Sequence, residues 1–236
     1  CLGIDLGLEM TRAVLVDDDG QLLEGRDGAS FQSPDDLRTT LDELLRGWPL
    51  RDCATTVSLT RDYRLSTIDL AEASQEAILV RAEELMLPFA VAEARFAWTS
   101  VGGRRTVVVA YPEELLQILG EVFLERNFHS LYFEAIEFAQ ARMLQARGSN
   151  IGLLNIEPEV MQLTVSAPDD FFSISQNTAL TGLEHFLGLS LDLWKNRGHK
   201  EPELLLTNGS IDFVTRASRI DAENFSEEDL AVFLAM

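Results

Sequence analysis

The feature that most limits what this chain can fold into is a hairpin pattern near its N-terminus. Residues 2–6 alternate between large apolar side chains and small or polar ones, and residues 13–16 form an apolar run. This predicts two strands joined by a turn. Asp18-Asp19-Gly20 predicts a second tight turn, in which glycine tolerates a positive φ, and a third strand is expected over residues 21–24.

The same pattern returns when residues 3–16 are set against residues 153–166. The aligned pairs are then Asp5 with Asn155, Gly7 with Glu157, Glu9 with Glu159 and Arg12 with Gln162. A second acidic turn at Asp169-Asp170 again precedes an apolar strand. The order of strand, polar residue, turn, strand, acidic turn and strand therefore occurs twice, which predicts a duplicated three-stranded unit followed each time by a helix.

Composition limits the partners of this chain. The 236 residues are 46% apolar, which is enough for a sizeable core, and 39 acids against 19 bases give a formal charge of −20. Such a surface repels nucleic acid and anionic lipid, so we expect neither as a partner. The charge favours a basic partner or simply maintains solubility, and composition leaves both interpretations open.

Cysteine content and hydropathy predict the cellular compartment of this chain. Cys1 and Cys53 form no disulfide framework, which is typical of a reducing compartment. No apolar run reaches the roughly 20 residues that a bilayer-spanning helix needs. We therefore expect a soluble chain without direct membrane insertion, and a start at Cys1 rather than Met leaves room for a preceding segment.

Periodicity predicts the remaining elements. Helices are expected at 34–46, 72–86, 112–125, 134–147 and 178–197, and further strands at 54–59, 64–70, 94–99, 106–110, 130–133, 151–155, 161–166, 171–175 and 203–207. These elements predict a first half at 1–56 to which 128–149 returns, a small inserted α/β subdomain at 57–127, and a second half at 150–236. Gly148-Ser149-Asn150 is the expected hinge.

Several short motifs carry a family resemblance through their order. They are Gly3-Ile4-Asp5-Leu6-Gly7 with Thr11-Arg12-Ala13-Val14, the run 54–70 leading to Glu83-Glu84-Leu85, Pro88-Phe89, Val107-Val108-Val109-Ala110 and Phe133-Glu134-Ala135. In this order they resemble the actin-like ATPase superfamily. Within it the chain looks most like the PilM-type component of bacterial type IV pilus machines, and next like the cytoplasmic domain of the type II secretion protein GspL. The resemblance implies an α/β, actin-like (ribonuclease H-like) fold of duplicated βββαβα units with a nucleotide between the halves.

The resemblance also implies which residues form the nucleotide cleft. In active relatives the first turn and its repeat cradle phosphates, while two Asp residues hold a metal through water. Asp5 and Gly7 match this pattern, but Glu9 lies where a small polar residue is expected. The repeat has Asn155 and Glu157 in place of the expected Asp and Gly, and Glu159 follows. Like charges about 4 Å apart repel by about 4 kcal/mol at an effective dielectric of about 20, which predicts that these carboxylates abolish useful nucleotide affinity.

A second departure lies near residue 200. Related proteins insert a subdomain there that forms one wall of the adenine pocket, whereas here only Gly198–Pro202 separates the helix from the next strand. The adenosine-contacting Gly-Gly turn is reduced to Asn208-Gly209. Simpler interpretations stay open: Asp5 as a strand-end acceptor of turn N–H groups, Glu157 and Glu159 as parts of a solvated turn, and Asn208-Gly209 as a tight turn or helix start.

These patterns favour a function without catalysis. The usual phosphate-loop, dinucleotide, zinc and serine-nucleophile motifs are absent, and His129, His185 and His199 have no ligand spacing. We expect a pseudo-ATPase without a cofactor or metal, acting as a cytoplasmic scaffold of a type IV pilus or related secretion machine.

The resemblance also suggests a partner and two alternatives. The expected partner is the cytoplasmic N-terminal tail of a PilN-like inner-membrane protein, held in a groove built from residues 54–70 and 94–110, and self-association into a ring is a further expectation. One alternative is an active ATPase in which Asp5 and Asn155 hold hydrated magnesium, and Glu157 with Glu159 argues against it. The other is a polymerising actin-like cytoskeletal protein.

Overall fold

The computed structural model describes residues 1–7, 10–19, 21–60, 62–70, 72–101, 105–148, 150–157, 160–168 and 170–224. These residues form two compact units, Cys1–Ile136 and 137–224. The boundary lies before the helix that we had predicted to belong to the first half and to end at the hinge. That helix joins the second unit because its Gln140 side chain accepts a hydrogen bond from Thr164 at 2.7 Å and donates one to Gln162 at 3.2 Å.

The first unit contains two sheets. Its elements are β1 (Leu2–Leu6), β2 (Met10–Val16), β3 (Leu22–Ala29), α1 (Pro34–Leu44), β4 (Ala54–Leu59), β5 (Arg64–Asp69), α2 (Gln75–Val80), two 3-10 turns (Ala82–Leu85 and Val91–Glu93), β6 (Ala94–Val101), β7 (Arg105–Pro112), α3 (Glu113–Leu124) and β8 (Ser130–Ala135). The main sheet has the order β3-β2-β1-β4-β8, and the smaller one has the order β5-β7-β6. The smaller sheet and its flanking helices are the inserted α/β block.

The second unit repeats the main sheet. Its elements are α4 (Ile136–Arg147), β9 (Ile151–Ile156), β10 (Val160–Ala167), β11 (Asp170–Asn177), α5 (Leu183–Asn196), β12 (Leu204–Thr207), α6 (Ile211–Ser218) and β13 (Asp221–Asn224). The strand order β11-β10-β9-β12-β13 corresponds position by position to the first main sheet. The duplicated α/β architecture that the repeat predicted is therefore present.

Strand register confirms the residue alignment of the two repeats. Asp5 lies opposite Arg12 in the β1–β2 pair, and Asn155 lies opposite Gln162 in the β9–β10 pair. Buried apolar side chains of the central strands include Leu2 and Ile4 of β1 and Leu153 and Leu154 of β9. In the second unit, one face of the sheet packs on α5 through a buried cluster that includes Leu154, Leu163 and Phe186.

Two predicted elements differ in extent for local reasons. The helix expected over 72–86 is divided, because the Ser74 side chain caps α2 by accepting from the Ala77 N–H, and the chain then tightens into a 3-10 turn after Arg81. The helix expected from residue 178 begins only at Leu183. Before it, the Asn177 side chain accepts from the Ala179 N–H in a turn, and Gly182 is extended.

The last strand was missed. No strand was predicted after residue 207, yet β13 pairs in parallel with β12. No helix in the described part of the chain has the length and hydrophobicity needed to cross a membrane.

Candidate functional site

The first unit carries a row of polar residues at one edge of its main sheet. Asp5, Ser58 and Glu134 lie side by side near the carboxyl ends of the parallel strands β1, β4 and β8. The Ser58 hydroxyl lies 3.2 Å from Glu134 Oε1 and donates a hydrogen bond to it. Ligands of open α/β sheets bind outside the carboxyl ends of parallel strands, so this row marks the candidate site in the first unit.

Gly7 shapes the turn beside this row. A Cβ atom at Gly7 would lie 2.6 Å from the Met10 carbonyl oxygen, so no larger residue fits the present backbone. The Thr60 hydroxyl also donates to the Leu6 carbonyl at 3.0 Å and ties the end of β1 to the residue after β4. Glu9, whose carboxylate was predicted to oppose phosphate binding at this turn, lies outside the described residues.

The second unit brings Asn155, Glu157 and Asn208 together. Asn208 Oδ1 accepts from the Ile156 N–H at 2.7 Å, and Asn208 Nδ2 donates to Asn155 Oδ1 at 2.6 Å and to the Ile156 carbonyl at 3.2 Å. Asn155 Nδ2 donates in turn to Glu157 Oε1 at 2.9 Å. The Asn208 side chain therefore acts like an added strand residue that pairs with the backbone at the end of β9.

Two backbone N–H groups at the end of β9 and the start of the repeat turn are already bonded. The Ile156 N–H is taken by Asn208, and the Glu157 N–H donates to the Val160 carbonyl at 2.8 Å. Gly209 packs closely beside them, since a Cβ atom there would lie 2.7 Å from Ile156 Cδ1. Glu159 lies outside the described residues.

Ser58 and Glu134 were not selected from the sequence. Glu134 stood in a motif quoted for the resemblance, and Ser58 stood near the end of a predicted strand, but neither was assigned to the site. The duplication contained the missing signal. Ser58, near the end of β4, lies beside Asp5 of β1, and Asn208, directly after β12, lies beside Asn155 of β9. Aligning these strands as well as the hairpins would have identified Ser58 as the counterpart of Asn208.

Comparison with known proteins gives the fold its name. No protein-family model matches the sequence, and no curated protein matches it. Among solved structures, the cytoplasmic domain of EpsL, an inner-membrane component of the type II secretion system of Vibrio cholerae, has a TM-score of 0.65 at 12% identity, over 99% of this chain and 92% of that chain. A Bacteroides thetaiotaomicron protein with an actin-like ATPase fold and unknown function has a TM-score of 0.61 at 11% identity, over 100% and 95%. The chain has the actin-like ATPase fold.

Enzymes share this actin-like fold too. The inorganic polyphosphate/ATP-glucomannokinase of an Arthrobacter strain has a TM-score of 0.51 at 12% identity, covering 99% of this chain and 96% of that chain. Identities this low relate the chain to these proteins through the fold alone. Its own residues must therefore carry any argument about function.

A short connection follows α5 where the sequence lacks the subdomain expected of actin-like relatives. Residues 197–203 join α5 to β12, and buried Asp170 holds them in place. Asp170 Oδ2 lies 2.8 Å from His199 Nε2, and Asp170 Oδ1 lies 3.4 Å from Arg197 Nη1. The His199 ring stacks on Trp194 at 4.0 Å between centroids. His199 is thus a packing residue of this connection.

The described part of the actin-like fold offers no obvious metal centre. Within the ranges given above, no three His, Cys, Asp or Glu residues are grouped closely enough to hold a metal ion. Asp5 and Glu134 are the carboxylates of the first-unit row, and each has further interactions there. His129 precedes β8, His185 lies on α5, and His199 lies in the connection that follows α5.

We predict that Asn208→Ala destabilises the second unit by about 1 kcal/mol. The variant leaves the Ile156 N–H and Asn155 Oδ1 without their protein partner, and solvent replaces part of the loss because Asn208 is exposed. Urea unfolding measures the change. Asn196→Ala, at the exposed end of α5, is the matched control and should change stability by less than about 0.5 kcal/mol. Equal effects of the two substitutions would contradict a structural role for the Asn208 network.

Proposed function

We propose that this protein is a non-catalytic cytoplasmic scaffold of a type IV pilus or related secretion machine, with an actin-like fold of the PilM type. It holds the cytoplasmic N-terminal tail of a PilN-like inner-membrane protein and stays near that membrane through this partner. The observation that carries the proposal is the closed hydrogen-bond network of Asn155, Glu157 and Asn208. The likeness in fold to the EpsL cytoplasmic domain supports the choice of machine.

The network argues against nucleotide binding by the second unit. A phosphate is held at a turn by backbone N–H groups that point at it. Here the N–H groups of Ile156 and Glu157 already donate to Asn208 Oδ1 and the Val160 carbonyl. The Glu157 carboxylate adds a negative charge at the same turn. These residues do not fit a magnesium–nucleotide complex, and we assign the protein no cofactor.

Charge and the inserted block support the proposed partner tail. The candidate groove segments, residues 54–70 and 94–110, contain β4 of the main sheet and β5, β6 and β7 of the small sheet. β5 and β6 are the outer strands of that sheet, so each has an edge that an extended peptide can approach. The net charge of −20 favours a tail that carries Lys or Arg near the membrane. Association of subunits into a ring is consistent with a scaffold of this kind.

Calorimetry with magnesium–ATP tests the loss of nucleotide binding. We expect no heat of binding with the parent chain at protein concentrations of about 50 μM, because the occupied N–H groups and the Glu157 charge should keep the dissociation constant above about 1 mM. Such a constant corresponds to less than about 4 kcal/mol of binding free energy. A Glu157→Gly/Asn208→Gly variant, which removes the carboxylate and frees the Ile156 N–H, should bind more tightly than the parent. Micromolar binding by the parent would overturn the pseudo-ATPase proposal.

Co-purification tests the partner separately. The tagged chain, expressed in its own host, should retain an inner-membrane pilus or secretion protein after detergent extraction. A synthetic peptide of that protein's N-terminal tail should then compete it off. Absence of any such membrane protein would count heavily against the scaffold proposal while leaving the nucleotide result unaffected.

An active ATPase remains the second candidate because of one observation. Asp5, Ser58 and Glu134 place two carboxylates and a hydroxyl in register near the carboxyl ends of three parallel strands, the edge at which open α/β sheets bind ligands. Measurable ATP turnover that disappears in Asp5→Asn would favour this candidate. Filaments that sediment would instead favour a polymerising actin-like protein.

A further inference from the structure

The outer edge of β11 lacks the protection that the other sheet edges of this chain have. The outer strand of any open sheet leaves backbone N–H and carbonyl groups unpaired on one side, and charged side chains commonly keep such an edge from pairing with another chain. In the described sheets, the outer strands β3, β5, β6, β8 and β13 each carry at least one charged residue. Residues 171–177 of β11 carry none. β11 is therefore the open edge of the second unit.

The duplication makes this difference sharper. β3 and β11 hold the same position in the two repeated sheets. β3 contains two acidic residues and one arginine, and its register with β2 shifts at one point. β11 keeps a continuous register with β10 from Asp170 to Asn177. Because bulges and charges disfavour pairing at an edge, the first repeat is protected where the second is not.

The hydrogen-bond pattern shows which backbone groups of β11 face outward. In an antiparallel pair, the N–H and carbonyl of one residue point to the same side, and successive residues alternate. The Glu157 N–H donates to the Val160 carbonyl, so the even-numbered residues of β10 bond β9 and the odd-numbered ones bond β11. The β11 partners of these odd-numbered residues are Phe172, Ile174 and Gln176. Ser173 and Ser175 therefore direct their backbone groups away from the sheet.

The two ends of β11 agree with this alternation and delimit the free part of the edge. The Phe171 carbonyl accepts from Arg197 Nη1 at 3.3 Å, and the Asn177 carbonyl accepts from the Leu180 N–H at 3.1 Å. Both residues belong to the odd-numbered, outward series, and both carbonyls are bonded outside the ladder. Between them, no described residue bonds the outward backbone groups of the two serines.

We propose that this edge pairs with β11 of a second copy of the chain, antiparallel about a two-fold axis at Ile174. Ser173 then lies opposite Ser175 of the second copy, and each such pair exchanges both backbone hydrogen bonds. An axis at Ser175 would instead set Ser173 against Asn177, whose carbonyl already accepts from another residue. The axis at Ile174 therefore gives the fuller ladder.

Side-chain pairing and charge both favour a second copy as the occupant. About this axis, serine meets serine on one face of the extended sheet, and Ile174 meets Ile174 on the other. Ile174 and Phe172 already pack against the core of the second unit, so the apolar pair continues that core across the interface. Two chains of charge −20 repel each other, and contact costs least where neither brings a charge. A basic peptide would gain no charge attraction from this edge.

Such a dimer joins two second-unit sheets into one continuous sheet. The interface is isologous, so it occupies both edges and association stops at two copies. It differs from a ring of subunits, which needs head-to-tail contacts, and it does not depend on the scaffold function. The contact is short, and we expect a dissociation constant on the order of 10 μM.

Sedimentation equilibrium of the full chain from about 1 to about 200 μM tests the pairing. We expect a monomer–dimer equilibrium that strengthens severalfold as salt rises from about 50 to about 300 mM, because salt screens the repulsion between acidic copies. A monomer over the whole range, a dimer that weakens with added salt, or species larger than a dimer would overturn the proposal.

Paired variants locate the interface. Ser175→Lys puts a charge on the open edge and should weaken dimerisation at least tenfold, although it reduces the negative charge of the chain. Ser100→Lys is the matched control, because it makes the same change at an exposed residue of the outer strand β6, and it should leave dimerisation unchanged. Both side chains are exposed, so both variants should keep the parental unfolding midpoint. Equal effects on dimerisation would remove the interface from β11. A monomeric parent that loses a membrane partner through Ser175→Lys would assign the edge to that partner and overturn pairing with a second copy.

Cross-linking tests the axis. Ile174→Cys would place two thiols in a non-hydrogen-bonded pair with Cα atoms about 4.5 Å apart, and oxidised glutathione should link the two copies. Gln176→Cys is the control, because its two thiols would lie about 14 Å apart along the strands and cannot be bridged. Both variants are made in a Cys1→Ser background, since Cys1 is exposed and Cys53 is buried. Linkage through position 176 but not through position 174 would overturn the proposed register.

Discussion

Replacing Phe186 with alanine is expected to destabilise the second unit by about 4 kcal/mol. Phe186 is 1% exposed and lies on the buried side of α5 with Leu187, Leu191 and Trp194. These side chains cover β9, β10 and β12 through Leu154, Leu163 and Leu205. Alanine would leave a cavity that the surrounding strands cannot fill, because their own side chains are fixed by the sheet register. The loss would be a large fraction of the roughly 5–15 kcal/mol of unfolding free energy that a typical domain has.

Urea unfolding followed by the fluorescence of Trp194 measures this loss within the second unit. Trp48 and Trp98 lie in the first unit, so a Trp48→Phe/Trp98→Phe background leaves Trp194 as the reporter. Leu189→Ala is the matched control, because Leu189 lies on the same helix but is 46% exposed, and it should cost less than about 1 kcal/mol. Similar losses for Phe186→Ala and Leu189→Ala would show that α5 does not pack as described.

The second large effect is expected from Asp170→Ala, which should destabilise the same unit by about 3 kcal/mol. Breaking a buried ion pair by removing one partner costs about 3–5 kcal/mol. The Asp170 side chain is 0% exposed, whereas those of Arg197 and His199 keep 18% and 20% of their surface in solvent, which places the effect at the lower end of that range. The connection at 197–203 would lose its anchor, and the stacking of His199 on Trp194 would loosen.

The same Trp194 reporter detects both consequences of Asp170→Ala. Its emission should shift to longer wavelength in the folded variant, because the ring loses part of its cover by His199. Asp192→Asn is the control: Asp192 is 67% exposed and pairs with Lys195 at 2.8 Å, so its loss should cost less than about 1 kcal/mol. A folded Asp170→Ala variant with parental stability and emission would contradict the anchoring role.

How far the candidate site was predictable depended on the kind of interaction. The alignment of Asp5 with Asn155 came from the sequence because a strand repeats its side-chain pattern every two residues, and this period survives divergence of the side chains. The hydrogen bonds of Asn208 to Ile156 and Asn155 were not predictable. They join residues more than 50 positions apart, and only strand pairing in the folded sheet brings them together. Ser58 was missed because only the hairpins of the two repeats were aligned, and Glu134 because its place beside Ser58 depends on the pairing of β4 with β8.

The apolar periodicity of the sequence also could not predict where a helix is interrupted by a cap or a tight turn. Residues 72–86 have a helical pattern of apolar positions, yet the turn at Arg81 and the left-handed Met86 divide the segment. Apolar spacing reports which side chains face the core, and a short helix followed by a 3-10 turn satisfies that requirement as well as one continuous helix does.

The sequence by itself determined the duplicated α/β architecture, the short connection after α5 and the excess of negative charge, since repeated patterning, chain length and composition can be read without coordinates. The tertiary structure decided which polar residues meet. It paired β13 with β12, closed the Asn155–Glu157–Asn208 network and buried Asp170 beneath His199 and Arg197. These outcomes depend on contacts between distant segments, whose free energies are gained only when the whole sheet forms.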